Sequence, residues 1–301
     1  MSINGVLLIH KQKEFTSFDV IAVVRKLIGQ KKAGHTGTLD PNATGLLPVL
    51  LGSATKAQDI IPRQDKRYTA DFRLGAATDT LDIWGEVIEE KPAHCTADAV
   101  EKALDAFRGE IEQLPPMYSA VSIDGKRLYQ YAREGKEVER RARTVTVYLL
   151  ELLSFDEKTQ SGKLDIACSK GTYVRSLIDD FARSLGTVGV MTDLVREEAC
   201  GYTLSDAITL DELKEIMQNG GIDESAPYFR TVESLFAAYP ELVVTDKQAH
   251  RFKNGNPLDV MRTEIKNAAE DKKIYRVKDK EGNFLSLGIV DEDMIKLYKH
   301  F

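Results

Sequence analysis

The run His35-Thr36-Gly37-Thr38-Leu39-Asp40-Pro41-Asn42-Ala43-Thr44-Gly45-Leu46-Leu47 is the densest concentration of chemistry-bearing residue types in the 301-residue chain. An aspartate followed by proline has its backbone pushed out of the helical region. The glycines on either side permit left-handed or tight geometry. Hydroxyls at Thr36, Thr38 and Thr44 can satisfy the backbone groups of an irregular segment. Together these residues can hold one carboxylate, that of Asp40, rigidly at the mouth of a cleft. The same composition also describes an Asp-Pro turn with no chemistry, and the pattern is compatible with both. Metal chemistry has no such nucleus. The three cysteines (Cys95, Cys168, Cys200) form no CxxC pair, and the five histidines show no HxxxH spacing. A GxGxxG or P-loop pattern is also absent, so no nucleotide cofactor is expected.

A buried carboxylate stays ionised most readily beside a guanidinium. Arg175 stands in an unusual setting for an arginine. It follows the Lys170-Gly171-Thr172-Tyr173 turn and sits among Val174, Leu177 and Ile178, an apolar setting unlike that of a solvated helix residue. Asp79, Asp82 and Glu86 lie close together and by themselves read as a solvated acidic face.

These residues need a scaffold. Gly5–Lys11 reads as a strand. Ser17 reads as the N-cap of a helix carrying Phe18, Ile21, Val24, Leu27 and Ile28 at helical spacing, stopped by Gly29. Gly34–Gly45 has no period, and the apolar run Leu46–Leu51 follows it. In Arg67–Leu74, alternation puts Tyr68, Ala70, Phe72 and Leu74 on one face of a strand. Further helices are expected over Asp98–Phe107, Lys126–Arg133, Thr172–Leu185 and, behind a Thr209/Glu212 capping box, Leu210–Met217. Strands are expected at Tyr118–Ile123, Arg143–Phe155 and Lys163–Ser169. Helices and hairpins mix without a βαβ repeat, which predicts an α+β fold with a mostly antiparallel sheet and flanking helices. After Tyr239–Pro240 the pattern changes to short strands around Gly-rich turns. The expected division is 1–239 and a small β-rich domain at 240–301.

The whole chain is an ordinary globular mix, 43% apolar and 29% charged, with no run long enough to span a bilayer. The segment MSINGVLLIHK has no basic lead and too short an apolar run for a signal peptide, so a cytoplasmic location is expected. The net charge of −6 conceals segregation. Met1–Ala70 carries 10 Lys/Arg against 5 Asp/Glu, and Leu242–Phe301 carries 12 against 10. A phosphate backbone responds to such local fields rather than to the total. Basic candidates for phosphate contact are Lys11, Lys31, Lys32, Lys66, Arg67, Arg127, Arg140, Arg141 and Arg143.

The segment GHTGTLDPNATGLLPVLLGSATK resembles the signature of the TruB family of pseudouridine synthases, which convert uridine 55 in the T arm of tRNA. The resemblance continues through DKRYTADFRLGAATDTLDIWG, LPPMYSAVSIDGKRLYQYAREG and CSKGTYVRSLIDDFARSLG, in order over most of residues 3–200. It implies an isomerisation that needs no cofactor. Asp40 is the nucleophile toward the flipped nucleotide, at C6 of the base or C1′ of the ribose. Arg175 is the guanidinium that pairs with it. Tyr68 is the stacking aromatic and a candidate base for the C5 proton. By the same resemblance Asp82 orders the site through the arginine, Tyr173 lines the pocket, and His35 intrudes into the RNA loop. Lys11 is expected on the substrate. One departure is visible: the family's Lys-Pro-x-Gly-x-Ser/Thr-Ser stretch reads here Lys11-Gln12-Lys13-Glu14-Phe15-Thr16-Ser17, without the proline or the glycine. The C-terminal stretch from Lys253-Asn254-Gly255-Asn256-Pro257 resembles a PUA-type RNA-binding domain. The implied partner is tRNA, through its T arm and its acceptor stem, bound by a monomer without a membrane or a protein partner.

Overall fold

A computed structural model describes residues 3–301; Met1 and Ser2, the start of the segment read for a leader, lie outside the described residues. The chain opens with β1 (Gly5–Lys11), α1 (Ser17–Ile28), β2 (Ala33–His35), β3 (Thr44–Leu51) and β4 (Lys66–Leu74). A hairpin of β5 (Ala76–Thr78) and β6 (Val87–Glu90) leads to α2 (Ala97–Leu104) and β7 (Gly109–Gln113). Next come a two-residue pair, β8 (Ser122–Ile123) and β9 (Lys126–Arg127), then α3 (Leu128–Arg133), β10 (Arg143–Asp156), β11 (Ser161–Cys168) and α4 (Val174–Ser184). They are followed by β12 (Gly189–Ala199), β13 (Tyr202–Thr203), α5 (Leu210–Gln218) and β14 (Phe229–Arg230). The last part holds β15 (Glu241–Val243), α6 (Asp246–Lys253), β16 (Leu258–Asp259), β17 (Ile274–Lys278), β18 (Phe284–Asp291) and β19 (Met294–Lys299).

The first large sheet runs β14-β1-β3-β12-β4-β11-β10-β7, with β2 on β3 and β13 on β12. All its pairings are antiparallel except β3–β12. The second sheet runs β15-β17-β18-β19-β16. This is the expected α+β architecture with a mostly antiparallel sheet and a C-terminal β-rich part. Helix α4 and Val100 and Leu104 of α2 cover Phe72, Leu164 and Ile166. Helices α1 and α5 cover Leu7, Ile9, Leu47 and Val49. On the other face of β1 and β3, Val6, Leu8, Leu46 and Leu50 pack with Leu235, Phe236 and Leu287. Covered on both faces, β1 and β3 read as near-continuous apolar runs rather than alternating ones.

Several local expectations are corrected. The N-cap of α1 is Thr16, not Ser17, in a capping box with Asp19. The Ser17 hydroxyl is buried, accepting from the Leu39 N–H at 2.9 Å and donating to the Leu39 carbonyl at 3.1 Å. The segment expected as a strand over Tyr118–Ile123 is paired only at Ser122–Ile123. The α-helix at 98–107 closes at Leu104 and tightens to a 3₁₀ turn over Asp105–Phe107. The stretch Gly34–Gly45 is not wholly irregular, because Ala33–His35 pairs with β3. No strand was expected at 189–199, yet β12 lies between β3 and β4 in the large sheet. Its alternation is broken by two register shifts against β4, which explains why a period of two does not stand out there. In the altered Lys11–Ser17 connection, Glu14 adopts φ 64°, a left-handed conformation, at the position where the family pattern has glycine.

Candidate active site

Three separate parts of the fold hold the loop that carries Asp40. Arg196 of β12 donates to the carbonyls of Gly37 (3.1 Å) and Thr38 (3.3 Å) at the loop's start and to that of Leu46 (2.7 Å), in β3 just beyond its end. At its middle, Ser17 of α1 brackets Leu39, whose side chain is buried in the core with Ala43. Just past Asp40, the Lys11 ammonium donates to the Pro41 carbonyl at 2.8 Å. Gly45 lies opposite Arg196 in the parallel pairing and has φ +106°. A Cβ there would sit 2.4 Å from the Arg196 carbonyl oxygen, so only glycine allows the close approach.

Arg175, in the first turn of α4, is 5% exposed and has a partner in every direction of its guanidinium. Its Nε lies 2.9 Å from Asp40 Oδ2. Nη1 donates to the Thr80 carbonyl at 2.7 Å and lies 3.9 Å from Asp82 Oδ2, while Nη2 donates to the Tyr118 carbonyl at 2.9 Å. A planar fork in four fixed contacts cannot swing, so the Asp40 carboxylate that it meets is fixed too. Asp82 is itself tied down, accepting from Thr80 Oγ1 at 2.7 Å and from the Trp84 N–H at 3.2 Å. Burial raises its pKa, against the opposing pull of Thr80 and Arg175.

Asp40 and Arg175 border two hollows. The inner one, about 270 Å³, is lined by Tyr68, Tyr173, Lys66, Ser119 and Leu194 besides the ion pair. The outer one, about 750 Å³, adds His35, Asp82, Phe18, Trp84 and Tyr129. Tyr68 faces inward from β4, opposite Arg196 on one side and Ile166 on the other. Burial pushes its phenol up to about 12, so it is uncharged at pH 7. Burial, reinforced by Arg196, lowers His35, so that imidazole is neutral there too. Lys66 is held below the usual ammonium range by burial and by Arg196. Tyr173 caps α4, with its backbone N–H and carbonyl both bound to the Gln113 amide.

Asp40, Tyr68, Tyr173 and Arg175 therefore meet around one hollow, and His35 and Asp82 join Asp40 and Arg175 around the next. Lys11 does not. Expected as a phosphate contact, it is fully buried, with its three donors spent on the carbonyls of Gln12 (2.9 Å), Phe15 (2.6 Å) and Pro41. In this structure it splints the loop rather than facing solvent. Arg67 is likewise engaged, in a two-point pair with Asp165. Sequence reasoning missed Arg196 and Ser119. The signal for Arg196 was an arginine two residues after Leu194, on an inward strand position, where a solvated side chain is out of place. Ser119 gave no signal; its hydroxyl is buried at the site with no hydrogen-bond partner among the described residues. Among the described residues no cluster of His, Cys, Asp or Glu could hold a metal ion. Nor is any helix among the described residues long and apolar enough to cross a membrane.

Residues 25–174 match the family described as "TruB family pseudouridylate synthase (N terminal domain)". A protein named tRNA pseudouridine synthase B from Bacillus pumilus is 40% identical over 277 residues, 90% of this chain and 88% of its own length. Another of that name from Clostridium perfringens is 40% identical over 297 residues, 98% of each chain. Among solved structures, a chain of a Cbf5-Nop10-Gar1 complex superposes with a TM-score of 0.75 at 24% identity, over 98% of this chain and 84% of that one. A chain of an H/ACA RNP bound to a substrate RNA containing 2′-deoxyuridine does so with the same TM-score at 22% identity, over 99% and 84%. At that identity the structures speak for the fold alone. With sequence relatives matching across nearly its whole length, the chain belongs to the TruB family of pseudouridylate synthases.

Proposed function

We propose that the protein isomerises uridine 55 in the T loop of tRNA to pseudouridine, with Asp40 as the nucleophile after the base has been flipped out. The observation that carries this reading is the Asp40–Arg175 pair, 2.9 Å apart, at the rim of a hollow lined by Tyr68. The names of the relatives supply the substrate class. Extruding a stacked base costs a few kcal/mol, and a receiving pocket with an aromatic wall offsets it. An Asp40 oxygen bonds to C6 of the uracil or to C1′ of the ribose. The C1′–N1 bond breaks with its electron pair on N1, the base turns, C5 bonds to C1′ as Asp40 is released, and the proton lost from C5 is made up at N1, which becomes N1–H. Atoms and electrons balance within the nucleotide, so no oxidant or co-reactant enters. Tyr68 serves as the stacking surface in its neutral form. Tyr68 is also the candidate base for the C5 proton, a role that burial of its phenol opposes.

In the same reading, residues 1–239 form the catalytic domain. Residues 240–301 form a PUA-like domain that touches the acceptor stem. The protein acts as a cytoplasmic monomer. Incubating an unmodified tRNA transcript with the protein alone and mapping pseudouridine by position tests the assignment. Product at position 55 is expected; product elsewhere overturns the substrate assignment, and none overturns the activity. Asp40→Asn should keep tRNA binding within a few-fold and abolish product. Pseudouridine from that variant would refute the aspartate's role.

A further inference from the structure

Two aromatic side chains stand at the outer hollow with much of their surface in solvent. Phe18, in the first turn of α1, is 69% exposed, and Trp84, in the loop before β6, is 46% exposed. Each is held where it is by the contacts that build the site. Phe18 lies between Ser17, bound to Leu39, and Asp19, locked into the capping box with Thr16, so its turn cannot rotate to bury the ring. Trp84 donates its backbone N–H to Asp82. The next residue, Gly85, has no room for a Cβ, which would sit 2.2 Å from Thr80 Oγ1. Leaving such rings in water forfeits the apolar burial that each could have gained, so their presence on a rigid rim points to a ligand.

The same hollow supplies the rest of a nucleotide site. Tyr129 is in its wall, with the Arg133 guanidinium 5.4 Å from the ring centroid, and Arg127 is beside them. Flat apolar faces among guanidinium groups suit a base with its phosphate, whereas an apolar peptide segment would leave those charges without partners. The hollow also reaches Asp40 and Arg175, so whatever lies in it is adjacent to the reacting nucleotide.

We propose that Phe18 and Trp84 form a stacking subsite for an unpaired nucleobase next to the target uridine, which they hold out of the RNA loop while the uridine occupies the inner hollow. The proposal rests on the RNA reading given above. The two residues are positioning residues, expected to act on substrate affinity rather than on bond breaking.

Trp84 is the only tryptophan of the chain, so its emission reports on this subsite alone. In the Asp40→Asn protein, a saturating tRNA transcript should quench that emission. Trp84→Leu and Phe18→Leu keep apolar bulk and remove the flat ring. Each should raise the tRNA KM and Kd roughly tenfold, the scale of one lost base–aromatic stack, with kcat within about twofold. Trp84→Phe should recover most of the loss, which a merely structural role for the loop would not predict. Unchanged emission at saturation, or a Trp84→Leu protein with wild-type KM, overturns the subsite while wild-type product formation leaves the proposed activity standing. Absence of product from the wild-type protein overturns both.

Discussion

At the scale of single residues, the site is a contest between a carboxylate that must stay available and a fold that must hold it still. Arg175 achieves both by meeting Asp40 with one nitrogen and spending the other two on carbonyls. Lysine keeps the charge but not the fork. Arg175→Lys is therefore expected to lower the single-turnover rate of product formation roughly 100-fold, since small misplacements near a reacting group carry that cost, while tRNA binding stays within a few-fold. Lys11 makes a different case. Burial lowers its ammonium to about 8, with Asp40 opposing and Arg196 adding to the shift. Above that value the folded protein gives up a proton that the unfolded chain keeps until its ordinary pKa of 10.5. The unfolded state then holds more protons, so stability attributable to Lys11 rises with pH between those two values and is constant and lower below them. Lys11→Met should cost about 2 kcal/mol near pH 7 by leaving three carbonyls unpaired. In urea unfolding the gap from wild type should widen toward pH 10, and the salt dependence of tRNA binding should not change.

At the scale of elements, the loop of Asp40 derives its order from strands and a helix remote in sequence. The Lys11–Ser17 connection shows how a fold can outlast the residue that suits it best. Glu14 keeps the left-handed backbone at φ 64° although it carries a Cβ. The penalty for a non-glycine residue there is about 1 kcal/mol, partly offset by the greater unfolded-state freedom of glycine. Glu14→Gly should thus raise stability by up to about 1 kcal/mol, seen as a rise of about 2 °C in Tm. The same geometry would place Lys11 and Ser17 on the loop as before. A fall in Tm would mean that the glutamate side chain makes contacts that outweigh the strain.

At the scale of the whole molecule, the two sheets share packing. Phe236 is fully buried between Tyr239 and Phe301, with ring centroids at 6.2 and 5.1 Å. Glu233 pairs with Arg276 and Lys278 of the second sheet. Phe236→Ala should destabilise by about 3–5 kcal/mol. Because the cavity lies where both sheets meet, calorimetry should show one transition moved to lower temperature; two separated transitions would show that the sheets unfold independently.

The sequence by itself determined the loop of Asp40, the inward face of β4 with Tyr68, the helix of Arg175 and the α+β class. Each of these is written in local terms: a Pro and two Gly around one Asp, a period of two, an apolar stripe after a Gly turn. Only the tertiary structure decided that Lys11 turns inward, that Arg196 ties the loop from the other side of β3, and that Phe18 is left outside. Those outcomes depend on which carbonyls and which faces come together across a gap of up to 159 residues. A buried cation and a solvated one have the same letter, and a helical stripe does not tell which of its members the sheet leaves uncovered.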